Sequence, residues 1–178
     1  MFSKIRSLIF KIDPEKAHTL AIKSLKLNLV SNIFDDHKSD PLFKTKIFNK
    51  ELDNPIGMAA GFDKNAEVYN ALFRLGFGFV EVGTITPLKQ YGNPKPRVFR
   101  LVEDEALINR LGFNNHGAKI IYDRIKSKDK LGLLGVNIGP NKDSNDRLNL
   151  CYNCRKRWQY FHSISSTCME SQIHNSMP

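Results

Sequence analysis

Between residues 55 and 138 the sequence alternates short apolar runs with stretches of helical spacing. The apolar runs are residues 55–60, 79–84 and 133–138, and the helical stretches are residues 65–75 and 115–127. This order of strand, helix, strand, helix and strand predicts parallel strands joined by crossover helices. Two folds have that pattern, a doubly wound sheet and a (β/α)8 barrel.

Polar residues at the ends of the apolar runs favour the barrel. Asp63 and Lys64 follow the first run, and Thr84 ends the second. Asn137 lies near the end of the third run, and barrel active sites form at the carboxyl ends of strands. A dinucleotide-binding unit needs its glycine motif directly after a strand, whereas Gly76-Phe77-Gly78 precedes one and is expected to end a helix. We therefore expect an α/β fold, the first three or so strands of a partial (β/α)8 TIM barrel.

Residues 1–40 are basic and differ from the rest. Two helices are predicted there. The second is expected to begin at Asp13-Pro14-Glu15, because Asp13 can cap the helix, Pro14 suits the first helical position and Glu15 places an acid in the first turn. Short amphipathic helices with basic flanks suit a bilayer surface, although packing of their apolar faces on the domain behind is the alternative. The two apolar stripes consist of Phe2, Ile5, Ile9 and Ile12, and of Ala17, Leu20, Ala21 and Leu25.

Composition narrows the class of protein. The 178 residues are 41% hydrophobic and carry a net charge of +9, which favours anionic partners. The basic residues are scattered and match no nucleic-acid motif, so we expect no nucleic-acid partner. There is no apolar run of about 18 residues and no secretory signal, so the chain is expected to be cytoplasmic or to face the cytoplasm. Cys151 and Cys154, with His162, Cys168 and His174, match no compact zinc finger, so no metal site is expected.

Three segments have the residue types of a binding site. Residues 60–64 combine small residues, which let a flat ring or a phosphate approach the backbone, with the charge of Lys64. Thr84 has a hydroxyl at a strand end, and residues 109–115 combine amides with a guanidinium, groups that pair with planar heterocycles. Taken singly, each segment is equally compatible with a solvated lysine, a hydroxyl that satisfies a turn, or an ordinary loop.

Together, these segments resemble the quinone-linked (class 2) dihydroorotate dehydrogenases. The resemblance covers residues 1–148, that is, the N-terminal half of such an enzyme. The motifs that carry it are Asp13-Pro14-Glu15-Lys16-Ala17-His18, Ala60-Gly61-Phe62-Asp63-Lys64, Glu81-Val82-Gly83-Thr84-Ile85-Thr86-Pro87, Lys95-Pro96-Arg97-Val98-Phe99-Arg100, Asn109 through Asn115 and Asn137-Ile138-Gly139.

The resemblance implies an FMN enzyme of pyrimidine synthesis that oxidises dihydroorotate to orotate and passes electrons to a membrane quinone. It implies peripheral attachment through the N-terminal helices at the cytoplasmic face of the inner membrane. The residues it assigns to FMN are Ala60, Gly61, Phe62, Asp63, Lys64, Thr84 and Asn137. Those it assigns to the substrate are Lys64, Asn109, Arg110, Leu111, Gly112 and Phe113.

The resemblance stops near Leu148. The family's next segment, Ser-Ser-Pro-Asn-Thr-Pro-Gly, supplies the serine base, and Ile164-Ser165-Ser166-Thr167 lacks its proline and asparagine, so no catalytic residue is assigned. We expect three units, residues 1–40, 41–148 and a poorly ordered tail 149–178 that is unrelated or out of frame. The chain is expected to be a truncated, inactive form. Alternatives are a membrane-surface module or inactive relic, and another FMN barrel reductase of dihydropyrimidine type.

Overall fold

The computed structural model describes residues 9–27, 40–47 and 49–146, and the backbone of residues 164–168. A single 3₁₀ turn, Pro41–Phe43, precedes the first strand. The elements are the helices α1 (Pro14–Lys26), α2 (Tyr69–Arg74) and α3 (Ala118–Lys126), and the strands β1 (Thr45–Ile47), β2 (Lys50–Leu52), β3 (Gly57–Met58), β4 (Phe79–Ile85), β5 (Val98–Leu101), β6 (Ala106–Asn109), β7 (Leu133–Ile138) and β8 (Ile164–Cys168).

The centre of the molecule is a parallel sheet of four strands in the order β3–β4–β7–β8. Strand β4 runs beside β7 from Phe79 opposite Leu133 to Ile85 opposite Ile138, with a register shift after Val82. Helix α2 lies in the connection from β3 to β4 and α3 in the connection from β4 to β7, so that these strands run parallel. This succession corresponds to the first part of the expected barrel, and within the described residues the sheet does not close.

The strand and helix predictions hold with shifted ends. Strand β7 matches residues 133–138, and β4 continues one residue beyond the predicted end, but the first run forms only the two residues of β3. Helix α2 begins at Tyr69 rather than at residue 65 because the carboxylate of Asp63 accepts hydrogen bonds from the backbone of Glu67 and Val68, both at 2.8 Å. These bonds fold the segment before α2 into a turn. The φ of +86° at Gly117 likewise delays the start of α3.

Buried aliphatic side chains from the sheet and the helices share one core. Val80, Val82, Leu134 and Val136 point from β4 and β7 against α2 and α3, and Ile121 of α3 is fully buried. Alternate residues of a strand face the same side, so these two central strands present a continuous apolar surface to the helices.

Helix α1 begins as predicted and packs on the same core. The side chain of Asp13 accepts a hydrogen bond from the Lys16 backbone at 2.9 Å and caps the helix. Its buried residues are Ile22 and Leu25, whereas Leu20, predicted to be on the apolar face, is 55% exposed. The stripe prediction is therefore wrong at Leu20 and right at Leu25. No helix of the described residues is long and apolar enough to cross a bilayer.

Two antiparallel hairpins, β1–β2 and β5–β6, were not predicted. The second lies between β4 and α3, where no strand was predicted. The tail also contains a strand, since β8 pairs parallel with β7 from Ile164 opposite Leu134 to Cys168 opposite Ile138. No strand pattern was expected there. Most of the first predicted helix, the remainder of the tail and the histidines and other cysteines weighed as zinc ligands lie outside the described residues.

Candidate functional site

A cleft of about 730 Å³ opens at the carboxyl ends of β3 and β4. The segment after β3 forms its floor, α1 forms one wall, and the β5–β6 hairpin with the chain after it forms the opposite wall. The residues that line it are Pro14, Glu15, His18, Thr19, Ile22, Ala60, Gly61, Phe62, Asp63, Lys64, Asn65, Glu67, Gly83, Thr84, Val98, Arg100, Leu107, Asn109, Leu111, Gly112, Phe113 and Asn114. The cleft therefore lies where the parallel strands and the sequence predicted a binding site.

The floor of the cleft is held by backbone hydrogen bonds between two strand ends. The N–H of Gly61 donates to the carbonyl of Gly83 at 2.8 Å, and the N–H of Gly83 donates to the carbonyl of Asp63 at 3.2 Å. Gly61 has a φ of +108°, and no other atom lies within 4 Å of the position that a Cβ would take there. Its bare backbone is open, which lets a flat ring approach closely.

Asp63 lines this floor and also supports it. Its side chain is 1% exposed and caps the turn before α2. Burial raises the pKa of Asp63, and the two backbone N–H donors oppose that shift. Because both carboxylate oxygens are used by the turn, Asp63 holds the loop in place rather than offering its charge to a ligand.

Thr84 and Asn137 form the end of the floor on neighbouring strands. The Thr84 hydroxyl donates to Asn137 Oδ1 at 2.7 Å. Asn137 is buried behind Thr84 and does not line the cleft itself. A Cβ at Gly83 would approach the Asn137 carbonyl oxygen to 2.5 Å, so only glycine allows this close strand contact. The end of the floor therefore consists of exposed and closely packed backbone at Gly61 and Gly83 with the Thr84 hydroxyl beside it.

Lys64 and His18 are the ionisable groups at the centre of the cleft. Burial lowers the pKa of Lys64, and the carboxylate of Glu15 opposes that shift. Burial also lowers the pKa of His18, and the positive charge of Lys64 lowers it further. The imidazole of His18 meets the ring of Phe62 edge-on with 5.3 Å between ring centroids. The centre of the cleft therefore combines the positive charge of Lys64 with a histidine that is favoured in its neutral form. Glu15 and Arg100 add further charges at its walls.

The predicted substrate segment reaches the cleft with one exception. Asn109, Leu111, Gly112 and Phe113 line it. Arg110 turns the other way, donating from Nη2 to the Pro96 carbonyl at 3.1 Å and lying over the Phe99 ring. Arg110 was assigned to the substrate because it lies in the family motif of residues 109–113. Alternation along the extended chain instead directs its side chain to the outer face.

Asn115 is a structural residue of this wall that the sequence did not single out as such. It is 4% exposed, and its amide oxygen accepts hydrogen bonds from the backbone of Thr86 and Gly117. Its Nδ2 donates to the Thr86 hydroxyl and to the Phe113 carbonyl. These bonds tie the wall of the cleft to the end of β4.

Helix α1 supplies further residues that the sequence did not assign to the site. Glu15, His18 and Ile22 recur at spacings of three and four, so one helix face lines the cleft. Hydrophobic periodicity did not identify this face of the helix, because it mixes charged, aromatic and aliphatic side chains. The spacing of Glu15 and His18 ahead of the buried pair Ile22 and Leu25 is the signal that identifies the face.

Comparison with known proteins then decides the family. A sequence profile described as Dihydroorotate dehydrogenase matches residues 42–164. The chain belongs to the dihydroorotate dehydrogenase family. The profile continues past Leu148, where the sequence resemblance was expected to stop, and ends at the first residue of β8.

The relatives are similar over the first part of their own length. The chain is 53% identical to a "Dihydroorotate dehydrogenase (quinone)" of Rhizobium etli (strain CIAT 652) over 143 residues, which is 80% of this chain and 39% of that protein. It is 55% identical to one of Rhizobium meliloti (strain 1021) over 140 residues, 79% of this chain and 38% of that protein. The chain therefore spans about two fifths of the curated relatives that it matches.

A solved structure shows the same arrangement. The crystal structure of the Eimeria tenella dihydroorotate dehydrogenase in complex with ferulenol matches with a TM-score of 0.75 and 41% identity. The match covers 82% of this chain and 40% of that chain. The observed sheet thus corresponds to part of an α/β barrel, in agreement with the expected fold class.

Proposed function

We propose that this chain provides the FMN- and substrate-facing part of a quinone-linked dihydroorotate dehydrogenase, which oxidises dihydroorotate to orotate in pyrimidine synthesis. The observation that carries the proposal is the meeting of two separate segments, residues 60–64 and 109–113, in one cleft at the strand ends. They are 45 or more residues apart in sequence, and both were assigned from the sequence. A shared cleft is what a reaction between two bound molecules requires.

In this proposal the floor of the cleft holds FMN and the hairpin wall holds the substrate. FMN, when bound, accepts a hydride from dihydroorotate. The open backbone at Gly61 and the hydroxyl of Thr84 face the flat ring, while Asn137 fixes the direction of that hydroxyl. Lys64 places a positive charge between the two molecules, where it favours an anionic substrate and a ring that gains negative charge.

The α1 wall, across the cleft from the hairpin wall, suits a quinone. Pro14 and Ile22 place apolar surface on the α1 side of the cleft. An apolar opening next to a flavin floor gives a hydrophobic electron acceptor a route that does not cross the substrate side. The quinone side is therefore proposed to be the α1 wall.

The proposal includes peripheral attachment to the cytoplasmic face of the inner membrane through the N-terminal segment. Phe10, Leu20 and Leu27 leave much of their apolar surface exposed, and Lys11, Lys16 and Lys23 lie among them. Exposed apolar side chains next to lysines suit a surface of anionic lipids. Flotation with vesicles of anionic lipid tests this, with Leu20→Glu expected to weaken binding and Leu131→Glu, an exposed leucine before β7, as the matched control.

FMN binding is the direct test of the site. Titration of the chain into FMN, followed by quenching of flavin fluorescence, should show saturable binding. Lys64→Gln should weaken it by about tenfold, since a charge-assisted hydrogen bond contributes roughly 1.5–3 kcal/mol. Lys119→Gln removes a charge from the exposed side of α3 and should leave the affinity unchanged. Equal affinity of all three proteins would argue against the proposed site.

Turnover is expected to be absent in this chain, because the family's serine base has no match in its sequence. The assay supplies dihydroorotate, FMN and a short-chain ubiquinone analogue and follows orotate absorbance. Turnover that depends on FMN would contradict this expectation. Vesicle binding without any FMN binding would instead favour the alternative of a membrane-surface module.

A further inference from the structure

Helix α1 is attached to the rest of the molecule in two different ways along its length. Its second half is part of the core, with Ile22 and Leu25 buried. Near its end, Lys26 makes an ion pair with Glu67 at 2.7 Å, and the Lys26 side chain is 45% exposed. Its first half makes no such apolar contribution to the core, although it forms the α1 wall of the cleft.

The first half is held by an ion pair between Glu15 and Arg97. Arg97 Nη2 lies 2.8 Å from Glu15 Oε1, and Arg97 Nε lies 3.1 and 3.2 Å from the two carboxylate oxygens. The Arg97 side chain is only 9% exposed and that of Glu15 is 19% exposed. A two-point contact of this kind fixes direction as well as distance, which a single lysine contact does not.

Arg97 is itself fixed by the loop before β5. Its Nη1 donates to the carbonyl oxygens of Tyr91 and Asn93, at 2.7 and 2.9 Å. The guanidinium therefore has a set position that does not depend on α1. The hydrogen bond from Arg97 also holds the pKa of Glu15 below its usual range, so the carboxylate stays charged at neutral pH.

A second arginine of the hairpin supports the same end of the helix. Arg100 donates from Nη1 to the carbonyls of Phe10 and Ile12, at 3.1 and 2.7 Å. Its guanidinium also lies over the ring of Phe10, 4.8 Å from the centroid. Among the described residues 9–27, the polar contacts of these two arginines thus lie at or before the first turn of α1.

We propose that Glu15 and Arg97 are positioning residues for the cleft, a role that rests on the proposed function. Their ion pair places the first half of α1 and thereby sets where His18 and Thr19 meet a ligand bound between α1 and the hairpin. Without it, Arg100 still holds the chain just before α1, and the helix face that carries His18 and Thr19 loses its fixed direction toward the hairpin. The ligand that depends on this pair is the apolar quinone at the α1 wall, whereas FMN on the floor depends on it little.

Hydrogen exchange of the full chain tests the structural part of the proposal. Glu15→Gln keeps the size of the side chain and removes its charge, and it should speed exchange at residues 16–21 by about tenfold. Strands β4 and β7 should exchange as before. Lys26→Gln, which breaks the ion pair at the other end of α1, is the matched control and should leave residues 16–21 unchanged. The proposal would be overturned if exchange became faster throughout the chain, or if the exchange rate of residues 16–21 did not change.

Ligand binding tests the functional part with the same proteins. Glu15→Gln and Arg97→Lys should each lower the affinity for a short-chain ubiquinone analogue by about tenfold and change FMN affinity by less than about twofold. Glu15→Asp keeps the charge and should restore part of the affinity. Equal losses for FMN and the quinone analogue would overturn a positioning role at the α1 wall. If the unchanged chain bound neither molecule, the proposed function would fail, whereas hydrogen exchange would still decide the role of the ion pair.

Discussion

The side chain of Asn115 offers a sharp test of how the cleft wall is built. Its amide makes four hydrogen bonds, two as acceptor and two as donor. Asn115→Asp preserves the shape and both accepting bonds but replaces the donor Nδ2 with an oxygen. That oxygen would take the place of Nδ2, which lies 2.7 Å from the Phe113 carbonyl oxygen and 2.9 Å from the Thr86 hydroxyl oxygen. The Thr86 hydroxyl donates to the Leu88 carbonyl, so its hydrogen is already used.

The expected cost follows from these contacts. Two hydrogen bonds are lost at about 1 kcal/mol each, and a buried charge facing two acceptors adds roughly 2 kcal/mol. The free energy of unfolding should therefore fall by about 4 kcal/mol, a large part of the 5–15 kcal/mol that is typical of a domain. The cost should shrink as the pH is lowered, because protonation of the introduced carboxyl group removes the charge and restores one donor.

Urea denaturation followed by circular dichroism measures this cost. With an m-value of about 2 kcal/mol per M, the midpoint should fall by about 2 M. Asn70→Asp is the matched control. Asn70 donates to the Asp129 carbonyl at 2.7 Å near the surface, so the same change should cost under about 1 kcal/mol. Similar losses for the two variants, or a loss at Asn115 that does not depend on pH, would refute this account of the wall.

Three further predictions concern the sheet, the floor and α1. Leu134→Ala removes a fully buried side chain of β7 and should lower the free energy of unfolding by about 3 kcal/mol in urea denaturation. Thr84→Val removes the donor to Asn137 and should weaken FMN binding by about tenfold in fluorescence titration, with an unchanged affinity contradicting its role. The pKa of Glu15 is lowered by Arg97, so the stability that this pair contributes is present at neutral pH and is lost as the pH falls through that lowered value. Glu15→Gln should flatten the acid limb of a stability–pH curve, and an unaltered acid limb would count against the ion pair.

The sequence by itself determined the order of the central elements and the floor of the cleft. Strand β7 is apolar apart from Asn137, and β4 is apolar apart from Glu81 and Thr84, so each is recognisable without tertiary information. The floor is equally local, because residues 60–64 directly follow a strand and the carboxyl end of a parallel strand is where a site forms. Family motifs added the substrate segment 109–113.

Tertiary structure decided the ends of the helices and the directions of individual side chains. Asp63 delays α2 through hydrogen bonds four and five residues ahead, a choice that helical periodicity does not reveal. Arg110 faces outward because its strand neighbours alternate and a carbonyl lies within reach on that side. A motif shows which charged residues could contact a ligand. The pairing of strands determines whether each of these side chains points into the cleft or away from it.

The α1 wall is the part that only the tertiary structure could supply. Its apolar stripe predicted a buried Leu20, yet the helix is turned so that Glu15, His18 and Ile22 face inward. The reason is a partner 82 residues away, since Arg97 satisfies Glu15 and makes a carboxylate tolerable at the edge of the cleft. Periodicity ranks the faces of an isolated helix by hydrophobicity, whereas a long-range ion pair can favour a more polar face.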